Sequence, residues 1–139
     1  MWSKRDEVDY ALQRRHTLQS VFGRSRTKTP SDICDADPML IRAAYHHGEE
    51  TSRACPVCDT PRLVTLNYVF GDQLGQYSGR IRSSEELKQM QEEYGEFKVC
   101  VVEVCVECSW NHIVSTYVLG DGVRRRPPRR QQTMEDVYG

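Results

Sequence analysis

The sequence predicts an α+β protein in which an antiparallel sheet carries one inserted helix and follows a helical arm. Three observations predict it. Two Cys-x-x-Cys pairs, "CPVC" at 55–58 and "CVEC" at 105–108, stand 46 residues apart. Beyond Cys58, stretches rich in Val, Ile and Tyr alternate with a period of two, the mark of strands with one buried face. One segment of the interval, "SSEELKQMQEEYG", has instead a helix cap, acids in its first turn and a glycine after its last.

The arm comes first in the chain. Ser3 and Asp6 resemble a capping box, and Val8, Ala11, Leu12, Leu18 and Phe22 approximate one apolar helical face, so a helix is expected over about residues 4–21. Gly23 and the polar run to Pro30 end it. Thr29 before Pro30, and Asp37 before Pro38, repeat an N-cap followed by a first-position proline, which predicts a short helical turn and then a helix over about 38–47 that stops at Gly48. Three short helices suggest a helix-turn-helix, but none is a recognition helix rich in Arg, Asn and Gln. The arm is therefore expected to pack on the sheet or on a partner.

After the first knuckle, Val64, Leu66, Tyr68 and Phe70 alternate with their neighbours as one strand, and "GDQLGQ" turns the chain. "YSGRIR" is expected as a second strand, with Tyr77 and Ile81 on one face and Arg80 and Arg82 on the other. The helix follows over about 84–94. "EFKVCVVEVC" and "NHIVSTYVL" read as two further strands with the second knuckle at their hairpin tip.

Four cysteines in two tight turns supply the four sulfur donors of a closed tetrahedral site, and zinc is the ion that suits it. Cys55, Cys58, Cys105 and Cys108 are the expected ligands. The pattern is zinc-ribbon-like, with a helix inserted to account for a gap longer than the usual 15–20 or so residues. A redox Cys-x-x-Cys would open a helix, whereas Pro61 and a β-rich run follow Cys58. A catalytic zinc would keep an open position and His or carboxylate ligands. The metal is thus expected to be structural. Cys34 and Cys100 read as small packing residues, His46, His47 and His112 as surplus to a filled site, and Trp110 as a cover over the sheet edge.

The net charge of −1 conceals an uneven distribution. Residues 51–122 carry 6 Lys/Arg against 10 Asp/Glu, while residues 123–139 carry 5 Arg against 2 acids. The tail "GVRRRPPRRQQTMEDVYG" builds no core, and its paired prolines favour an extended backbone on which arginines can clamp phosphates. Neither a signal peptide nor an apolar run of membrane-spanning length stands out, which predicts a cytoplasmic protein with no membrane partner. The domain plan is an arm at 1–50, a ribbon at 51–122 with its helix at 84–94, and a basic tail at 123–139.

Taken together, "MWSKRDEVDYALQRR", "CDADPMLIRAAYHHGE", "CPVC", "YVFGDQLGQYSGR" and "EYGEFKVCVVEVCVECSWNHIVSTYVLG" resemble a family of small actinobacterial proteins of unassigned function, over residues 1 to about 121. The resemblance implies a bacterial cytosolic protein with a zinc-ribbon body and brings no activity with it.

No Ser/His/Asp set, phosphate-binding glycine loop or paired carboxylates stand out, so an enzyme is not expected. The leading expectation is an accessory protein that binds a ribonucleoprotein, the ribosome first, through Arg124, Arg125, Arg126, Arg129 and Arg130, with Arg80 and Arg82 as secondary RNA-phosphate contacts. The alternative is an adaptor or transcription factor on RNA polymerase, which the acidic excess of 51–122 favours.

Overall fold

The computed structural model describes residues 4–123. Its centre is a five-stranded antiparallel sheet in the order β1-β5-β4-β3-β2, formed by β1 (Arg5–Asp9), β2 (Glu49–Glu50), β3 (Leu63–Phe70), β4 (Phe97–Cys105) and β5 (Asn111–Leu119). The fold is mixed helix and antiparallel sheet, as the sequence predicts. β3 and β4 pair without interruption from Leu63 opposite Cys105 to Phe70 opposite Lys98. β4 and β5 form the hairpin, with a register shift between Val101 and Val102.

The period-two pattern of β3 sorts its side chains onto two faces. On one face, Val69 joins Phe97, Val99, Tyr117 and Leu119 under the helix α4 (Ser84–Glu93), which contributes Leu87 and Met90, with Tyr94 just beyond its end. Ser83 accepts the Glu86 N–H while Glu86 accepts the Ser83 N–H, a complete capping box. Past β5, Gly120 has φ 100°, and any Cβ there would strike the Gly95 carbonyl. On the other face, α3 (Pro38–His47) lays Leu40 and Ala44 over Leu66 and Val104. Asp37 caps α3 by accepting the Leu40 N–H. Thr29 caps the single turn α2 (Pro30–Ile33) with a proline at its first position.

Two expectations are corrected. Residues 5–9, expected as the start of a helix, form β1, and the helix α1 runs over Ala11–Phe22. The exposed edge of β5 offers more hydrogen bonds to this segment than an isolated first turn does. A bulge at Asp6, φ 49°, sets the pairing of Val8 with Thr116, and Asp9 accepts the Ala11 N–H where α1 begins. Ser3, the expected cap, lies outside the described residues. Of the expected apolar face only Leu18 packs inward, while Val8, Ala11, Leu12 and Phe22 are exposed; Val21, outside that expected set, is the buried residue of α1.

"YSGRIR" is not a second full strand. A 3-10 turn holds Asp72–Tyr77, Gly79 has φ 91°, and only Ile81 forms a bridge, to Tyr68. The segment still shields the edge of β3, where the Val69 N–H donates to the Arg80 carbonyl and the Arg82 N–H to the Asn67 carbonyl. Arg80 and Arg82 both stand 5.9 Å from the Tyr77 ring, so they share its side and do not oppose it.

Candidate metal centre

The two knuckles are built alike. In the first, the Asp59 N–H donates to the Cys55 carbonyl and the Cys55 N–H to the Thr60 carbonyl; in the second, the Ser109 N–H donates to the Cys105 carbonyl and the Cys105 N–H to the Trp110 carbonyl. In each, the residue after the second cysteine is left-handed, with φ 63° at Asp59 and 72° at Ser109. This geometry turns backbone N–H groups toward sulfur. Val57 donates to Cys55, Thr60 to Cys58, Glu107 and Cys108 to Cys105, and Trp110 to Cys108.

The sheet brings the knuckles together because Leu63, five residues after Cys58, pairs with Cys105 itself. The sulfurs of Cys55, Cys58, Cys105 and Cys108 all lie within 4.8 Å of one another, with 3.6 Å separating Cys55 from Cys108 and Cys58 from Cys105. Ligands about 2.3 Å from a tetrahedral zinc stand about 3.8 Å apart. Four sulfurs at this spacing could hold one metal ion, and the donor set is compatible with zinc.

Burial opposes ionisation of the Cys105 and Cys108 thiols when no cation is near. It pushes Cys105 up to about 11, against the Cys108 and Glu107 N–H groups, and raises Cys108 further. Burial also works against the Cys58 thiolate, but the Thr60 N–H and the neighbouring sulfurs bring this exposed thiol below its usual value. A bound cation compensates the burial, and protons leave as it binds.

The cluster is roofed on the protein side. Trp110, fully buried, packs with Leu63, Val21 of α1 and Ile33 of α2, and stacks on His112 at 5.7 Å. Trp110, expected as a cover over the sheet edge, is thus a fully buried member of the core beside the cysteines. His46 and His47 lie in the last turn of α3, and Cys100 sits in mid β4 opposite Tyr68, so none of them joins the cluster.

Two residues near the site were not singled out as its parts from sequence. Cys34, expected as plain packing, directs its thiol at the Cys108 sulfur from 3.7 Å. Glu103, fully buried in β4, bonds the Arg14 side chain of α1 and lies 3.9 Å from Arg53 beside the first knuckle. Only an inward-facing acid in "VCVVEVC" signals Glu103, and nothing local signals Cys34.

The expected phosphate contacts are divided. Arg80 and Arg82 line an open groove of about 910 Å³ between α3 and the 78–83 segment, together with Asp37, Glu49 and Glu86. Glu86 pairs with Arg82 at 4.0 Å. Arg124, Arg125, Arg126, Arg129 and Arg130 lie outside the described residues. No helix among the described residues is long and apolar enough to cross a membrane.

A family model described as a family of unknown function, DUF5318, matches residues 1–133. The match runs past the boundary of about 121 expected for the shared portion and takes in the tail arginines. Among curated proteins, Rv0049 of Mycobacterium tuberculosis and Mb0050 of Mycobacterium bovis, both titled uncharacterized proteins, are each 47% identical over 122 residues, covering 88% of this chain and 88% of theirs. No solved structure matches.

Proposed function

The chain belongs to this family of unknown function, DUF5318, so no activity passes to it from a relative, and we propose that it is a non-enzymatic, cytoplasmic zinc-ribbon accessory protein that binds a ribonucleoprotein, the ribosome first. The observation that carries the non-enzymatic part is the four-sulfur cluster: its donors fill a tetrahedral ion and leave no position for substrate or water. Zinc there fixes the knuckles and the sheet end they close. Function then falls to the surface.

Support for an RNA-bearing partner comes from the chain's arginines. The tail carries five of them within residues 124–130, set around two prolines, and the family match includes this segment. Guanidinium groups bind phosphate bidentately, and extended chains follow the irregular backbone of folded RNA.

The test is purification of the tagged full chain from its own cytosol at low salt, with identification of the protein and RNA recovered. Stoichiometric ribosomal RNA is expected. RNA polymerase subunits without ribosomal RNA would overturn the reading in favour of a transcription adaptor.

A further inference from the structure

The balanced charge of residues 1–50 hides a local excess. Residues 10–31 hold Arg14, Arg15, Arg24, Arg26 and Lys28 and no Asp or Glu. The structure sets these cations around α1, with Arg14 and Arg15 lining a cleft and Lys28 on the side that also bears Asp32 and Asp35. The Thr27 and Lys28 N–H groups donate to the Ser20 carbonyl at 2.9 and 3.0 Å, folding the loop that bears Arg24, Arg26 and Lys28 back onto the last turn of α1. Beside that turn lies a cleft of about 500 Å³, lined by Arg14, Arg15, Arg53, Leu18, Phe22 and Val114 among others.

Three features suit this surface to a polyanion with flat apolar groups. Its cations are available: Arg15, Arg24 and Arg26 are exposed and form no ion pair among the described residues, and Lys28, also exposed, acts on Asp32 without forming one. One acid, Asp9, lines the cleft against three arginines, and it accepts the Ala11 N–H. Its geometry is held from beneath, because the buried Glu103 carboxylate fixes Arg14 and lies 3.9 Å from Arg53. Phe22 stands at the cleft with 51% of its surface exposed, at the end of a helix whose inward positions are already filled by Leu18 and Val21. By contrast Arg80 and Arg82 share their groove with Glu49 and Glu86.

We infer that the outer face of α1, with the loop 23–28 and the adjoining cleft, is a binding surface for single-stranded RNA. The inference rests on the ribonucleoprotein reading above and moves its main contacts from the tail to the folded body. Arg15, Arg53 and the loop cations neutralise successive phosphates. Phe22 stacks an unpaired base, which a continuous duplex does not offer.

The test titrates a fluorescein-labelled, mixed-sequence single-stranded RNA with the full chain and follows anisotropy across a salt series. One variant carries Arg15→Gln, Arg24→Gln, Arg26→Gln and Lys28→Gln; another carries Phe22→Ala; a third replaces the five tail arginines by glutamine. The arm variant is expected to bind at least about tenfold more weakly, with the slope of log affinity against log salt reduced by about 3, near 0.7 per lost cation. Phe22→Ala is expected to weaken binding by about 5-fold or more at an unchanged slope.

If the arm variant and Phe22→Ala bind like the parent while the tail variant loses binding, the arm is not the site and the ribonucleoprotein reading survives. Failure of the parent chain to bind RNA at low salt would remove both. Equal competition by polyglutamate, with Phe22→Ala silent, would assign the face to an acidic protein and overturn the RNA surface. The four exchanged side chains are exposed, so metal content and far-ultraviolet circular dichroism are expected to stay at parental values, and Phe22→Ala tests the surface independently.

Discussion

The two ends of the sheet are held by different forces. At the α4 end, Val69, Leu74, Leu87, Met90, Tyr94, Phe97, Val99, Tyr117 and Leu119 form a continuous apolar cluster that needs nothing beyond its own burial. At the knuckle end the buried set shrinks to Val21, Ile33, Leu63, Trp110 and the cysteines Cys55 and Cys105. Four polar sulfurs occupy the place that aliphatic side chains fill at the other end. The comparison teaches that the α4 end is stabilised by area, whereas the knuckle end, where four sulfurs could hold a metal ion, would be stabilised by coordination, so the two should fail under different insults.

The largest effect expected to separate them is removal of a metal held by the four sulfurs. Zinc in structural sites contributes on the order of 10 kcal/mol to local folding. Chelation, or Cys105→Ser, is expected to abolish amide protection in both knuckles and in α1 and α2, which rest on the cluster through Val21 and Ile33, while α4 and its strands keep most of theirs. Hydrogen exchange resolved by segment reads this. Uniform loss at both ends would show that the sheet unfolds as one unit and would break the comparison.

Glu103 comes next. Its carboxylate is buried and opposed by Arg14 and Arg53, and removal of one partner of such a group leaves the other charge unmatched, at a cost of about 3–5 kcal/mol. Arg14→Ala, which leaves the buried Glu103 carboxylate facing only the half-exposed Arg53, should lower the urea midpoint strongly and loosen α1, the element the pair ties down. At the opposite end, Leu87→Ala removes a side chain with 1% of its surface exposed and should cost about 3 kcal/mol with metal content unchanged. A drop in bound metal on that change would couple the ends more tightly than their separate clusters imply. Ser83→Ala, which strips one half of the α4 capping box, should cost about 1 kcal/mol, read as a small shift in thermal midpoint.

The same contrast explains what was legible in the sequence. Local signals are legible where local chemistry decides the structure: the Cys-x-x-Cys turns, a serine cap at Ser83 or Ser84, of which the structure uses Ser83, and the Pro30 and Pro38 helix starts all depend on a few adjacent residues. Residues 5–9 became a strand because β5, more than 100 residues on, offered them an edge. Strict alternation sets Arg80 and Arg82 opposite Tyr77, and the turn at Gly79 breaks that alternation. The approach of Cys34 to Cys108 spans 74 residues and leaves no periodic trace. The acid-free stretch at 10–31 is visible in the sequence, but over residues 1–50 as a whole 8 Lys/Arg and 8 Asp/Glu cancel it.

The most direct measurement is native mass spectrometry of the purified full chain beside its Cys105→Ser and Cys34→Ala variants. One zinc ion per chain is predicted for the parent and for Cys34→Ala, with none retained by Cys105→Ser, because Cys105 lies inside the four-sulfur cluster and Cys34 touches it only through Cys108. A parent chain without metal, or a Cys105→Ser chain that holds zinc as well as the parent does, would contradict the account of a sheet closed by coordination at its knuckle end.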